Sequence, residues 1–187
     1  MLSRTLFGFT FLTSISACSM VDGQAATQVS PEVVQTPPSP PVQAALTAAD
    51  GTPAGQVLMR RGPQGILVEI QGQGWPEGWH GVHLHAVGSC EAPAFTSAGG
   101  HVNDAHHARP HGLLNLAGGP DFGDLQNVYA HGDGTAWAEV YLHGDARSSQ
   151  GLALVVHAGR DDHVSQPIGG AGARIACAVL VPSPAPD

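Results

Sequence analysis

Residues 81–90 read GVHLHAVGSC and place two histidines one residue apart in an otherwise apolar run. If this run is a β-strand, residues i and i+2 point to the same face, so His83 and His85 present their rings to one side. Two imidazoles on one face suit two ligands of a single metal ion. An isolated pair of this kind more often consists of exposed or core-capping histidines, so a metal site needs further ligands.

Further candidate ligands lie later in the chain. His157 ends the apolar run LALVVH, while His101, His111 and Asp124 belong to a stretch, about residues 90–124, that lacks strand periodicity. Long irregular stretches in compact domains are usually functional. The chain contains 11 histidines, and imidazole is the side chain that most often holds zinc or copper. The sequence therefore indicates a metal site, although composition does not select the metal.

The composition and periodicity of the rest of the chain favour an all-β fold. Charged residues make up only 12 %, and the 25 glycines and 15 prolines suit short strands joined by turns. Segments such as GILVEIQGQG and VYAHGDGTAWAEVYL alternate apolar and polar residues, and the residues HGDG at 131–134 predict a hairpin turn. These patterns predict a β-sandwich or barrel.

The two ends of the chain differ in composition from its centre. Residues 1–17 contain one arginine, an apolar run and then small residues, which is typical of an export signal. Small residues directly precede Cys18, so the end of this segment resembles a bacterial lipobox. Cleavage at a lipobox leaves the cysteine as a lipidated N-terminus. An ordinary signal cut near Ala25 or Ala26 is the alternative. We expect a disordered linker rich in Pro, Gln and Ala at 18–45, a folded domain at 46–181 and a disordered tail at 182–187.

The charge of the chain restricts its partners. The formal net charge is −8, and the chain contains no lysine. Binding to the phosphates of a nucleic acid needs a basic surface, so we expect no nucleic-acid partner. The export signal predicts the periplasm or cell envelope, where a lipid on Cys18 would provide the contact with a membrane.

Taken together, the motifs resemble those of a known family. HGVHLHAVGSC, SAGGHVND, HGLLN, FGDLQNV, VVHAG and PIGGAGARIACAVL occur in the order and near-spacing found in copper/zinc superoxide dismutases of the bacterial exported type. The resemblance covers about residues 46–181. It implies a Greek-key β-sandwich or flattened eight-stranded barrel with two long functional loops. It also implies an enzyme that converts the small anion superoxide into dioxygen and hydrogen peroxide, with copper and zinc as cofactors.

The resemblance also implies roles for individual residues. The implied copper ligands are His83, His85, His101 and His157, and the implied zinc ligands are His101, His111, Asp121 and Asp124. His101 would bridge the two metals and exchange a proton during catalysis, and Arg174 would attract and orient superoxide beside the copper. Cys90 and Cys177 correspond to the disulfide of the family, which requires an oxidising compartment.

Asp121 departs from the family pattern, because relatives have a histidine at this position. An aspartate can bind zinc through oxygen, which gives a site of two imidazoles and two carboxylates. Alternatively, His106 or His107 in the same loop supplies the fourth ligand, or zinc is bound weakly or not at all. In the last case the chain would be a copper-only dismutase, a copper-binding protein or an inactive relative.

The resemblance leaves three points open: which positive charges attract superoxide, whether Asp161 or Asp162 links the metal sites, and which oligomeric state the protein has. Asp161 or Asp162 either links the two metal sites or forms a turn. A homodimer is one candidate assembly, because exported relatives include both monomers and dimers. Without lysine, the positive potential that attracts superoxide must come from Arg160, Arg174, and Arg109 or a protonated His163.

Overall fold

The structure of the chain is a computed structural model that describes residues 40–103, 108–115, 118–144 and 148–181. The predicted export signal, Cys18, the linker up to residue 39 and the tail at 182–187 lie outside the described residues, as do His106 and His107. The part of the chain that is described includes no helix long and apolar enough to cross a membrane.

The described chain is built mainly from β-strands. The strands are β1 (Val42–Ala48), β2 (Pro53–Arg61), β3 (Gly65–Gly72), β4 (Gly78–His80), β5 (Val82–His85), β6 (Val128–Ala130), β7 (Ala136–His143), β8 (Leu152–His157) and β9 (Arg174–Val181). They form one nine-stranded antiparallel sheet in the order β4–β6–β7–β3–β2–β1–β9–β8–β5. The turn predicted at 131–134 joins β6 to β7, and the His131 N–H donates to Thr135 O at 2.8 Å. The all-β prediction is therefore confirmed.

A single residue brings the two ends of this sheet together. β4 pairs with β6 at one end of the strand order, and β5 pairs with β8 at the other. Gly81 alone separates β4 from β5; its N–H donates to Gly159 O and its carbonyl accepts from His157 N, both at 2.8 Å. The covalent chain therefore joins the sheet ends and nearly closes a barrel. With β4 and β5 counted as one bent strand, this is the predicted flattened eight-stranded barrel.

The folded domain begins earlier than the sequence predicts. β1 starts at Val42, before the boundary expected at residue 46, so the end of the expected linker at 18–45 is part of the sheet. Val42 lies opposite Met59 of β2, and Val42 and Ala44 pack against the barrel core together with the buried Leu46. The spacing of these three residues is the period-two pattern of a strand. The surrounding Pro, Gln and Ala residues concealed that pattern.

Alternation along β5 separates the barrel core from the residues that could bind metal. Val82 and Leu84 are fully buried members of the main core. Because successive side chains of a strand point to opposite faces, His83 and His85 point away from that core. The candidate ligands on β5 therefore lie on the outside of the barrel, beneath the long connecting segments.

The segment between β5 and β6 forms backbone hydrogen bonds with the free edge of β5. Leu84 N donates to Gly123 O at 2.8 Å, and Val102 N donates to Leu84 O at 2.9 Å. A Cβ atom at Gly123 would lie 2.3 Å from Leu84 O, so this approach needs a glycine. The segment between β5 and β6 is thereby held against the strand that carries His83 and His85.

The disulfide joins the start of the same segment to the last strand. Cys90 is bonded to Cys177 of β9, as predicted, with Cα atoms 5.7 Å apart. It lies beside a second apolar cluster on the outer face of β8, which contains Phe95, Ala98, Ala153, Val155 and Cys177. The cross-link therefore covers the face of β8 on which His157 also lies.

We expect the double variant Cys90→Ala/Cys177→Ala to be less stable by about 4 to 5 kcal/mol, because the bond closes a long loop in the unfolded chain. Guanidinium unfolding of the metal-free protein in chelator measures this difference. The wild-type protein in reducing agent is the control, and it should unfold at the same guanidinium concentration as the variant. A loss below about 1 kcal/mol would contradict the expected chain-entropy effect.

Candidate metal centre

Four histidines from three parts of the fold meet on the outer face of the barrel. His83 and His85 come from β5, and His157 ends β8. His101 comes from the segment held along β5, where it lies opposite His85. One ring nitrogen from each of the four lies within 4.8 Å of the others. The geometry therefore brings together the four residues that the sequence predicts as copper ligands.

Hydrogen bonds fix the orientation of three of these rings. Each donates one ring N–H to a fixed acceptor: His83 Nε2 to Asp161 Oδ2 at 2.7 Å, His85 Nδ1 to Gly99 O at 2.8 Å and His157 Nδ1 to Gly172 O at 2.9 Å. Donation from one nitrogen leaves a lone pair on the other. The second nitrogen of each ring is therefore set up as a metal ligand.

The remaining ring nitrogens lack hydrogen-bond partners in the described structure. They are His83 Nδ1, His85 Nε2, His101 Nε2 and His157 Nε2, all buried. Buried polar atoms without a partner are rare because leaving them so costs free energy. Four such lone pairs facing one another fit an ion that accepts nitrogen donors, and a square of imidazoles suits copper.

The acid–base properties of these rings suit metal binding. Burial lowers the pKa of His83 and of His157 to about 4, and that of His85 to about 2. The three imidazoles are therefore neutral at physiological pH, which is the form that binds a metal ion.

A second cluster shares His101 with the first. It contains His101, His111, Asp121 and Asp124, whose ligand atoms also lie within 4.8 Å of one another. His101 Nδ1 is 3.0 Å from Asp121 Oδ2 and 3.2 Å from Asp124 Oδ1, and His111 Nδ1 is 2.5 Å from the same Asp124 oxygen. Two nitrogens and two carboxylate oxygens this close together fit the tetrahedral coordination of zinc. His101 thus offers one nitrogen to each cluster.

The second cluster differs from the first in its protonation. Burial would lower the pKa of His111, but hydrogen bonds to Asp124 and Asp161 outweigh it and raise the pKa to about 10. The pKa of His101 is also raised, because hydrogen bonds to Asp121 and Asp124 outweigh its burial. In the metal-free protein His111 is therefore protonated at neutral pH, and a metal ion must displace its proton.

Asp161 connects the two clusters. Its side chain is fully buried, and it accepts from His83 Nε2 at 2.7 Å through Oδ2 and from His111 Nε2 at 3.1 Å through Oδ1. Asp162 instead accepts from the backbone N–H groups of Val164 and Ser165 and forms a turn. Of the two roles left open by the sequence, Asp161 therefore takes the linking one and Asp162 the turn.

Two residues that support the clusters were not predicted from the sequence. Asn127 forms two hydrogen bonds with the backbone of Asp161. Its Oδ1 accepts from Asp161 N at 2.8 Å, and its Nδ2 donates to Asp161 O at 2.7 Å. The ring nitrogens of the buried His80 lie 2.7 Å from His157 O and Pro76 O. The contacts of Asn127 with Asp161 and of His80 with His157 join residues distant in the chain, so spacing alone does not reveal them.

Arg174 lies beside the histidine clusters at the start of β9. Its guanidinium donates to Phe95 O at 2.6 Å and to Gly99 O at 2.7 Å. Gly99 O also accepts from His85, so one carbonyl holds both side chains. Arg174, His85 and His101 line a cavity of about 300 Å³. A fixed positive charge is therefore placed at the opening that leads to the metal ligands.

The sequence and the structure both match known proteins. The family model described as copper/zinc superoxide dismutase (SODC) matches residues 53–180. The chain is 44 % identical over 147 residues to the Cu-Zn superoxide dismutase of Caulobacter vibrioides, covering 73 % of this chain and 83 % of the relative. It is 35 % identical to Cu-Zn superoxide dismutase 2 of Aquifex aeolicus, with 73 % and 84 % covered.

Solved structures give the same result. The Cu/Zn superoxide dismutase from Brucella abortus superposes with a TM-score of 0.60 at 27 % identity, covering 75 % of this chain and 99 % of that one. A SOD-like protein from Bacillus subtilis superposes with a TM-score of 0.64 at 28 % identity, with 74 % and 97 % covered. The chain therefore belongs to the copper/zinc superoxide dismutase family, and it is an oxidoreductase with copper and zinc as its cofactors.

Proposed function

We propose that the chain dismutes superoxide at a copper ion held by His83, His85, His101 and His157. The four buried ring nitrogens without hydrogen-bond partners support this proposal most directly. Their positions on the outer face of β5 and β8, next to a cavity that contains Arg174, give a small anion access to the ligands.

The reaction turns two superoxide anions and two protons into dioxygen and hydrogen peroxide. When bound, copper supplies one-electron chemistry between its two oxidation states. Arg174 binds and orients the anion, because its guanidinium faces the cavity and is held by two carbonyls. His101 has a ring nitrogen, Nε2, beside the cavity that can hold a proton, so it can pass that proton to the product peroxide.

In the zinc half of the centre, Asp121 takes the fourth ligand position. Its Oδ1 accepts from Gly123 N at 2.9 Å, which turns Oδ2 toward His101. With Asp124, it gives zinc two carboxylates and two imidazoles, a set that zinc accepts. The alternative is a copper-only protein with a weakened zinc site. The aspartate at position 121, in place of the histidine of the family pattern, also supports this alternative. His106 and His107, as other candidate ligands, lie outside the described residues.

We further propose that the chain is exported and tethered in the cell envelope by a lipid on Cys18, on the basis of its N-terminal sequence. A homodimer is the candidate assembly. Exposed aromatic side chains on β4, β6 and β7 support it, since such clusters mark interaction surfaces; they are Trp79, Tyr129, Trp137 and Tyr141.

Purified mature protein should bind copper and zinc at one ion each per chain, and it should consume superoxide. Metal analysis and a superoxide assay, each with and without added zinc, test this. Activity with bound copper but no retained zinc would assign the copper-only alternative. Full copper occupancy without activity would overturn the enzymatic proposal.

We expect Asp121→His to raise zinc affinity by roughly tenfold. The site already contains the carboxylate of Asp124, and an imidazole is a stronger zinc ligand than a second carboxylate. Competition with a chromophoric chelator measures the affinity. Glu139→His is the matched control, since it adds a histidine to an exposed position of β7. Unchanged zinc affinity in Asp121→His would show that another residue completes the site.

Zinc binding to the metal-free protein should release about one proton or more near neutral pH, because His111 is protonated there and must lose a proton to bind zinc. The apparent zinc affinity should therefore rise with pH toward the His111 pKa of about 10. Calorimetry in buffers of different ionisation enthalpy counts the protons. Zinc uptake that released no proton would show that His111 is not a zinc ligand.

A further inference from the structure

The cavity above the metal ligands has two arginines on its wall. One is Arg174, and the other is Arg109, from the segment between β5 and β6. Asp121 lines the same cavity and brings a carboxylate to its wall. An approaching anion therefore meets two guanidinium groups and one additional negative charge.

Arg109 is held in place by contacts on its backbone and its side chain. Its N–H donates to Asn103 Oδ1 and its carbonyl accepts from Asn103 Nδ2, both at 2.8 Å. Its guanidinium carbon lies 4.6 Å from the centre of the Phe122 ring, a cation–π distance. The side chain is thus fixed over the residue that follows Asp121.

In the described part of the chain, no carboxylate lies at ion-pair distance from Arg109, whereas Arg60 is paired with Glu69. An exposed cation without a counter-ion contributes its full charge to the local potential. Since the chain carries a net charge of −8 and no lysine, the attraction of an anion depends on a few such groups.

We propose that Arg109 is a second steering residue for superoxide, which draws the anion into the cavity without contacting the metal ligands. It offsets the negative charge of Asp121 at the entrance, while Arg174 orients the anion inside. This inference rests on the superoxide chemistry proposed above and adds to it a role for the segment between β5 and β6.

The test measures kcat/KM for superoxide per bound copper in Arg109→Gln, Arg109→Lys and Arg109→Glu. At low salt, Arg109→Gln should be slower by roughly twofold, the effect of one unit charge about 10 Å from the anion in water. Arg109→Glu should be slower still, and Arg109→Lys should keep the rate. In about 1 M salt the variants should converge, because the screening length falls to ~3 Å.

Arg60→Gln is the matched control, since it removes an arginine that is paired with Glu69 and does not line the cavity; its rate should be unchanged. A loss of rate in Arg109→Gln that persists at high salt, or one that Arg109→Lys shares, would assign a structural role and overturn the inference. Unchanged rates in all three variants would also overturn it. An inactive but copper-loaded unvaried protein would instead defeat the proposed function.

Discussion

The free edge of β5 is the constraint on which the metal centre depends. A strand at the end of a sheet has unpaired N–H and C=O groups, and these must be paired once they are buried. Leu84 is paired through the backbone of Val102 and Gly123, so the segment after β5 is held in one register against the strand. A slip of one residue would turn its side chains to the other face. The register found here places His101 opposite His85 and Asp124 opposite His83.

Asp161 makes the two halves of the centre interdependent. One carboxylate accepts from His83 and from His111, so it fixes which nitrogen of each ring is free for a metal. Burial would raise the pKa of Asp161, but the hydrogen bonds from these rings outweigh burial and lower it. The group is therefore ionised whenever both imidazoles are in place. A displacement of either ring changes the acceptor of the other, so the positions of His83 and His111 are coupled through this carboxylate.

The sequence predicts the residues of this centre better than it predicts their connections. The pair His83 and His85 follows from strand alternation, and the order of motifs identifies the partners. The choice between Asp161 and Asp162 was left open, because adjacent carboxylates differ only in direction, and Asn127 sets that direction from a distant part of the chain. The start of β1 at Val42 was missed for a related reason: its pairing with β2 and β9 decides that it is a strand, while its composition resembles a linker.

Asp121 changes more than the zinc half. A carboxylate bonded to Nδ1 of His101 makes the ring more basic than an imidazole would, and the raised pKa of His101 reflects this. In the proposed centre, zinc bound to Nδ1 would replace this hydrogen bond, so this effect of Asp121 on His101 belongs to the metal-free protein. The same carboxylate places negative charge beside a cavity that must admit an anion. A carboxylate at this position therefore orients His101 in the metal-free protein but weakens the attraction of an anion, and the steering role proposed for Arg109 would offset that loss.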